Sequence, residues 1–396
     1  MSRTRLRIGY IPLIDAAAVI VAVDCGFAAA EGLDVELVRE VSWSNVRDKL
    51  NIGLFDAAHL LSPMAIASSL GIGHVRVPII APFNLGLNGN AITVLPRLYA
   101  ALTEFADGDL ADPKVSARSL ARVVAERKSC GADPLTFGMT FPFSNHNYQL
   151  RFWMAAGGVD PDEDVRLVVL PPPYMVESLA SGHVDGFCVG APWNSVAVDA
   201  GLGRILHFGC EIMARASEKV LAVREHWANE NTALLSALIR ALMRAAEFVD
   251  APANREAVAA MVACRLDVGA ELVARTLAGN LKIAPDGAMR DSDRYIIIGR
   301  DDASRPDPVQ AAWLYAQIAR WGQAPTSDEL CALAQGVFRP DLYEAALGSK
   351  LAQHSNEPRD GIGAFVGPDF VPEDIAGHLA TWHNRRDSRP KLSIVR

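Results

Sequence analysis

One seven-residue pattern occurs twice in this chain and constrains its fold more than any other feature. Leu50-Asn51-Ile52-Gly53-Leu54-Phe55-Asp56 aligns with Leu179-Ala180-Ser181-Gly182-His183-Val184-Asp185, both of the form Leu-x-x-Gly-x-apolar-Asp. Each copy ends a helix at Gly, the residue that takes a left-handed C-cap without strain. Each then enters a short apolar strand, at 57–60 and 186–189. Helix–Gly–strand joints are common in α/β proteins, so coincidence is one explanation. The other is two similar α/β lobes, each carrying one copy. Two facing lobes leave a cleft, the usual place for a small ligand.

The segments around each copy come in the same order. Residues 6–11, 35–41 and 55–61 read as strands, separated by helices over 16–30 and from Ser42 or Ser44 to Leu50. Residues 135–139, 165–170 and 184–189 are again strands, with helices over 145–156 and 174–181. A βαβαβ order implies a mostly parallel sheet covered by helices. After Gly201 the pattern turns helical, over 232–248, 255–264, 270–279, 308–321 and 328–338. The C-terminal stretch is rich in Gly, Pro and charge and reads as a wrap or tail. Five basic residues lie in its last part: Arg385, Arg386, Arg389, Lys391 and Arg396.

With 396 residues, half of them hydrophobic, the chain can bury a core of this size. Its net charge of −8 argues against a broad nucleic-acid-binding face. The apolar run 16–23 lies between Asp15 and Asp24, far below the ~18 residues of a membrane span. Arg3, Arg5 and Arg7 imitate the start of an export signal, but Pro12, Asp15 and Asp24 interrupt the apolar stretch behind them. The protein is therefore expected to stay in the cytoplasm. Its six cysteines form no CxxC, and reduced thiols are expected.

Three segments combine helix starts or strand ends with polar and aromatic side chains. In Ser42-Trp43-Ser44-Asn45, Trp43 either walls a site beside free N–H groups or simply joins the core. In Thr140–His146, Pro142 stops a strand, and His146 falls in the first turn of a helix capped by Ser144 or Asn145. That outlines an anion site, with a packed histidine as the alternative. In Asp185–Trp193, Gly190 ends a strand where backbone can approach a ligand, or where a plain turn comes next. Lys219 stands just before a further strand, with pairing to Glu218 or Glu211 at the surface as its ordinary role. HExxH, Walker and GxSxG motifs are absent, so no enzyme chemistry is indicated.

Taken in order across residues 5–225, these segments resemble the NrtA/CmpA-type nitrate- and bicarbonate-binding proteins. The matching words are Ile8-Gly9-Tyr10-Ile11-Pro12-Leu13, Ser42-Trp43 with Val46-Arg47-Asp48-Lys49-Leu50, and Gly89-Asn90-Ala91-Ile92-Thr93. They continue with Thr140-Phe141-Pro142 and His146, Pro171-Pro172-Pro173, Asp185 to Gly190 with Pro192-Trp193, and Glu218-Lys219-Val220-Leu221. The resemblance implies an α/β fold: a two-lobed periplasmic-binding-protein-like clamp (type II) with a helical C-terminal region. It places the first part of lobe I at 1–92, lobe II at 93–195, the return of lobe I at 196–300, and a helical wrap and tail at 301–396. It implies a binding protein without cofactor or metal, whose anion is held by Trp43, Asn90, His146, Gly190 and Lys219.

Asn90 stands where the family usually has Gln. Ala191 replaces a common acidic residue, so a calcium site is not implied. Lys219 favours nitrate or nitrite, because bicarbonate members tend to carry an acid there. The chemistry agrees: nitrate has no proton to give, so its site must supply donors and positive charge. Lys219→Glu is expected to abolish binding and leave the fold intact.

Within the family the sequence most resembles the cytoplasmic nitrate/nitrite sensors of the NasS type. That implies an RNA-binding antiterminator partner resembling NasT, held without ligand and freed by nitrate or nitrite. Direct nucleic-acid and membrane contacts are not implied. The alternative is the solute-binding receptor of a nitrate-type ABC transporter.

Overall fold

The computed structural model describes residues 4–348 and 361–382; the basic stretch 385–396 lies outside them. The strands, in chain order, are β1 (Thr4–Tyr10), β2 (Leu33–Arg39), β3 (Ala57–Leu61), β4 (Ile79–Asn88), β5 (Asn90–Val94), β6 (Thr136–Met139) and β7 (Arg166–Val169). The others are β8 (Gly186–Gly190), β9 (Arg204–Phe208), β10 (Ser217–Arg224), β11 (Asn280–Lys282), β12 (Met289–Asp291) and β13 (Ile296–Ile297). Two main sheets form, in the orders β13-β4-β10-β3-β1-β2 and β7-β6-β8-β5-β9. In the first, β1 runs parallel to β2 and β3; in the second, β6 runs parallel to β7 and β8.

The repeated heptad builds the same joint in both sheets. Gly53 and Gly182 sit at φ +80° and +69°, where a Cβ is strained. Asp56 then accepts from the Arg7 N–H at 2.8 Å and Asp185 from the Thr136 N–H at 3.0 Å. Each aspartate thus fixes the last strand of its βαβαβ unit to the first, so the two copies do equivalent work.

Each parallel unit is completed by antiparallel strands, where the sequence predicts a mostly parallel sheet. β10 lies between β3 and β4, antiparallel to both, and β5 lies between β8 and β9 in the same way. Residues 196–208, assigned by the sequence to the returning lobe, carry β9 and therefore belong with the second sheet. The helix expected over 16–30 is a short turn and two helices, Ala17–Asp24 and Phe27–Ala30, broken at Gly26 with φ +75°.

Gly89 alone separates β4 of the first sheet from β5 of the second. At that point Asn88 takes φ +61°, a left-handed conformation that Asn tolerates better than most residues. Its Nδ2 donates to Ala214 O at 3.2 Å and Arg294 O at 2.9 Å, and its Oδ1 accepts from the Ala216 N–H at 2.9 Å. One side chain therefore binds the outgoing passage between lobes to the segments that return.

The C-terminal region packs across this frame. Helix Pro308–Arg320 places Trp313 against Phe152 of helix Asn145–Ala156, with ring centroids 5.7 Å apart. Residues 361–382 cover the same cluster: Phe370 lies 5.2 Å from Trp313 and Trp382 lies 5.3 Å from Phe152. The Phe365 N–H donates to Ile212 O at 2.9 Å.

Candidate functional site

The five residues singled out above meet between the two sheets. Trp43 opens helix Trp43–Asn51, capped by Ser42 Oγ accepting from the Asn45 N–H at 3.2 Å. His146 lies in the first turn of Asn145–Ala156, capped alike by Ser144 through the Asn147 N–H at 3.2 Å. Asn90 and Gly190 stand opposite one another in the β5–β8 ladder. A Cβ at Gly190 would lie 3.5 Å from both Asn90 Oδ1 and Asp15 Oδ2, so any longer side chain would enter the cluster. Lys219 stands within β10, not ahead of it, paired with Leu61 of β3 and Gly86 of β4.

Four further residues complete the cluster: Asp15, His59, Gln149 and Glu218. Lys219 Nζ lies 2.8 Å from Asp15 Oδ2 and 2.9 Å from Glu218 Oε1. His59 Nε2 meets Asp15 Oδ1 at 2.8 Å. From the other lobe, Asn90 Nδ2 donates to Glu218 Oε2 at 2.8 Å and to Gln149 Oε1 at 3.1 Å. His146 Nε2 stands 3.5 Å from Glu218 Oε1. The Trp43 ring lies 5.4 Å from the Lys219 ammonium, within cation–π range. None of these side-chain-bearing residues is more than 2% exposed.

The sequence reading allowed Lys219 a pairing with Glu218, but at the surface; the pair is fully buried. Neighbours on a regular strand point to opposite faces. Here β10 advances from Ser217 to Lys219 while β4 advances only from Leu87 to Gly86, so Glu218 is an extra, bulged residue. Bulges re-aim side chains, and this one brings adjacent residues into one cluster.

Burial and charge act against each other in this cluster. Burial would raise the Asp15 pKa, but Lys219 and His59 overcome it and hold the carboxyl ionised, well below its usual range. Burial would lower the Lys219 pKa, but Asp15 and Glu218 outweigh that and hold it raised and charged. For His146 burial wins over Glu218 and pushes the pKa down to about 4, so the imidazole is neutral near pH 7. Burial also lowers the pKa of His59. Trp43 Nε1, His59 Nδ1, Asn90 Oδ1 and His146 Nε2 are buried without a hydrogen-bond partner. Such atoms are rare in a native interior and call for a ligand, water or rearrangement to satisfy them. Among the described residues no group of three His, Cys, Asp or Glu is placed to hold a metal ion.

A neutral buried histidine makes folding sensitive to acid. The unfolded chain takes up a proton below about pH 6.5, whereas folded His146 resists until about pH 4. Stability is therefore present above that range and is lost as pH falls through it. For His146 alone the loss from pH 7 to pH 5 is on the order of 2 kcal/mol, and His59 adds in the same direction. Urea denaturation at both pH values measures it; equal midpoints would contradict a neutral His146.

A second buried network has the composition of a catalytic triad. Ser116 Oγ lies 2.6 Å from His207 Nε2, and Glu211 Oε2 lies 3.5 Å from His207 Nδ1. Ser116 and His207 are fully buried, and Ser116 Oγ also accepts from Trp153 Nε1 at 2.9 Å. It braces β9 against the helices and offers no nucleophile to a substrate.

Two α/β lobes closing on a buried polar cluster define a solute-binding clamp. The NMT1-like family profile matches residues 1–263. The nitrate/nitrite binding protein NrtA of Nostoc sp. is 30% identical over 95% of this chain and 85% of its own length. The nitrate import ATP-binding protein NrtC of Synechocystis sp. is 31% identical over 98% of this chain, which spans 56% of that relative. The crystal structure of the periplasmic nitrate-binding protein NrtA from Synechocystis superposes with a TM-score of 0.86 at 27% identity, covering 96% of this chain and 98% of that one. The chain belongs to the NMT1-like family, and its fold is that of the periplasmic binding proteins. Its named NrtA relatives are binding proteins, not enzymes.

Proposed function

We propose that the chain binds nitrate or nitrite between its lobes through Trp43, Asn90, His146, Gly190 and Lys219. The observation that carries this reading is the charged Lys219 beside two unpartnered buried nitrogens, Trp43 Nε1 and His146 Nε2, in a cluster contributed by both lobes. The NrtA relatives, named for nitrate and nitrite binding, support the choice of anion. Calorimetric titration with nitrate, nitrite and bicarbonate tests it: heats for the first two and none for bicarbonate are expected.

We further propose that the protein acts in the cytoplasm as a sensor, releasing an RNA-binding antiterminator resembling NasT when ligand binds. A ligand touching both lobes prefers the closed clamp, so it biases the clamp towards that state. A partner that recognises the open form then binds less tightly, and by reciprocity its presence weakens nitrate binding. A coupling of ~1–3 kcal/mol shifts partner affinity roughly 5- to 150-fold. The complex is expected on a sizing column without nitrate and lost with it. The likeness to periplasmic NrtA favours a second reading, the receptor of a nitrate-type ABC transporter. A complex unchanged at saturating nitrate and nitrite would end the sensor reading. Absence of any complex, together with a hydrophobic leader encoded upstream, would favour the receptor.

A further inference from the structure

Glu218 occupies an unusual position for a carboxylate in an anion-binding cluster. Its two oxygens take up the Asn90 amide at 2.8 Å and the Lys219 ammonium at 2.9 Å, and one of them stands 3.5 Å from His146 Nε2. These are three of the five residues assigned to the anion. A carboxylate is, like nitrate, a small planar group that presents oxygens to donors. With its other N–H bonded to Gln149, Asn90 has no donor left for a second anion while Glu218 is in place. Charge points the same way. Asp15 and Glu218 carry two negative charges against one positive charge on Lys219, a formal sum of −1 with both imidazoles neutral. A free anion added to that cluster meets net repulsion in a medium of low dielectric.

Resting on the nitrate/nitrite reading above, we propose that the Glu218 side chain is a tethered competitor, an internal carboxylate that holds the anion's place and must withdraw for the anion to enter. The bulge at Glu218 supplies the means, since a bulged residue is not fixed by a ladder partner on β4 and its side chain can be redirected. Withdrawal frees the Asn90 amide and one contact of Lys219 and removes the surplus negative charge. Glu218 thereby sets how weakly the site binds and rejects anions that hold those donors less well than its own carboxylate.

The test compares the parent protein with Glu218→Ala and Glu218→Gln. In Glu218→Ala, Lys219 keeps Asp15 as its partner, so no buried charge is stranded. Calorimetric titration at pH ~7.5 is expected to show nitrate bound at least roughly tenfold more tightly by Glu218→Ala, with a smaller gain for Glu218→Gln. A second arm uses sodium formate as an untethered carboxylate. Formate is expected to raise the melting temperature of Glu218→Ala and leave that of the parent unchanged relative to a sodium chloride control. Equal or weaker nitrate binding in both folded variants would overturn the proposal, as would equal formate protection of parent and Glu218→Ala. If neither protein binds nitrate or nitrite, the ligand assignment fails; formate then still decides whether Glu218 fills a carboxylate site.

Discussion

Lys219→Met is expected to cost the fold about 3–5 kcal/mol and to remove nitrate binding altogether. Lys219 is the only cation in contact with Asp15 and Glu218 among the described residues, apart from the neutral imidazoles. Its loss strands two carboxylates that have no access to water, and an uncompensated buried charge is among the most destabilising changes a core can suffer. The expectation that Lys219→Glu would leave the fold intact is therefore revised. That change gathers three carboxylates at one buried point and should be worse than Lys219→Met. The triple variant Lys219→Met with Asp15→Asn and Glu218→Gln removes charge and countercharge together. It should recover much of the stability and none of the binding, because the ammonium is gone. Urea denaturation and calorimetry on the two variants separate these roles. A Lys219→Met protein as stable as the parent would show that the cluster is not charge-coupled as described.

Trp313→Ala is expected to cost about 3–5 kcal/mol, the range for emptying a buried Trp site that cannot collapse. Trp313 is 3% exposed and touches rings on three sides: Phe152, Phe370 and His378. Phe152 belongs to the helix that presents His146, so the loss should also weaken nitrate binding, although Trp313 is not part of the cluster. Trp313→Phe keeps a ring in the gap and should recover most of both. Thermal melts beside nitrate titrations check this; loss of stability with unchanged affinity would show that the C-terminal helix does not position the site helix.

What the sequence revealed was local. Helix Asn145–Ala156 matches its expected span, since Ser144 at one end and Gly157-Gly158 at the other are short-range signals. β4 and β5 were not legible, because every one of their residues is buried, so no polar–apolar alternation marks them. β5 also finds β8 and β9 only across about a hundred residues of chain, which no window sees. Trp43, His146, Gly190 and Lys219 stood out from local pattern as well as from the family resemblance, Asn90 from the resemblance alone, and the five lie together. Asp15, His59 and Gln149 escaped as members of the site. Asp15 did leave a trace: it is a charge set in an otherwise apolar run, which here marks a buried charge with a buried partner. Glu218 was legible only as a surface partner for Lys219; its burial in the cluster depends on the bulge, a property of pairing and not of composition.

The bond pattern of Asn88 makes the passage between lobes a fulcrum. Three stretches of chain are tied to one side chain beside the passage, so a movement of one lobe against the other is expected to turn about this point. Asn90 lies two residues from that point. Such a turn displaces Asn90 little and the outer rims of the lobes far more, as the short and long arms of a lever differ. A molecule gripping both rims would feel a large displacement from a change of ångström scale around a small planar ion.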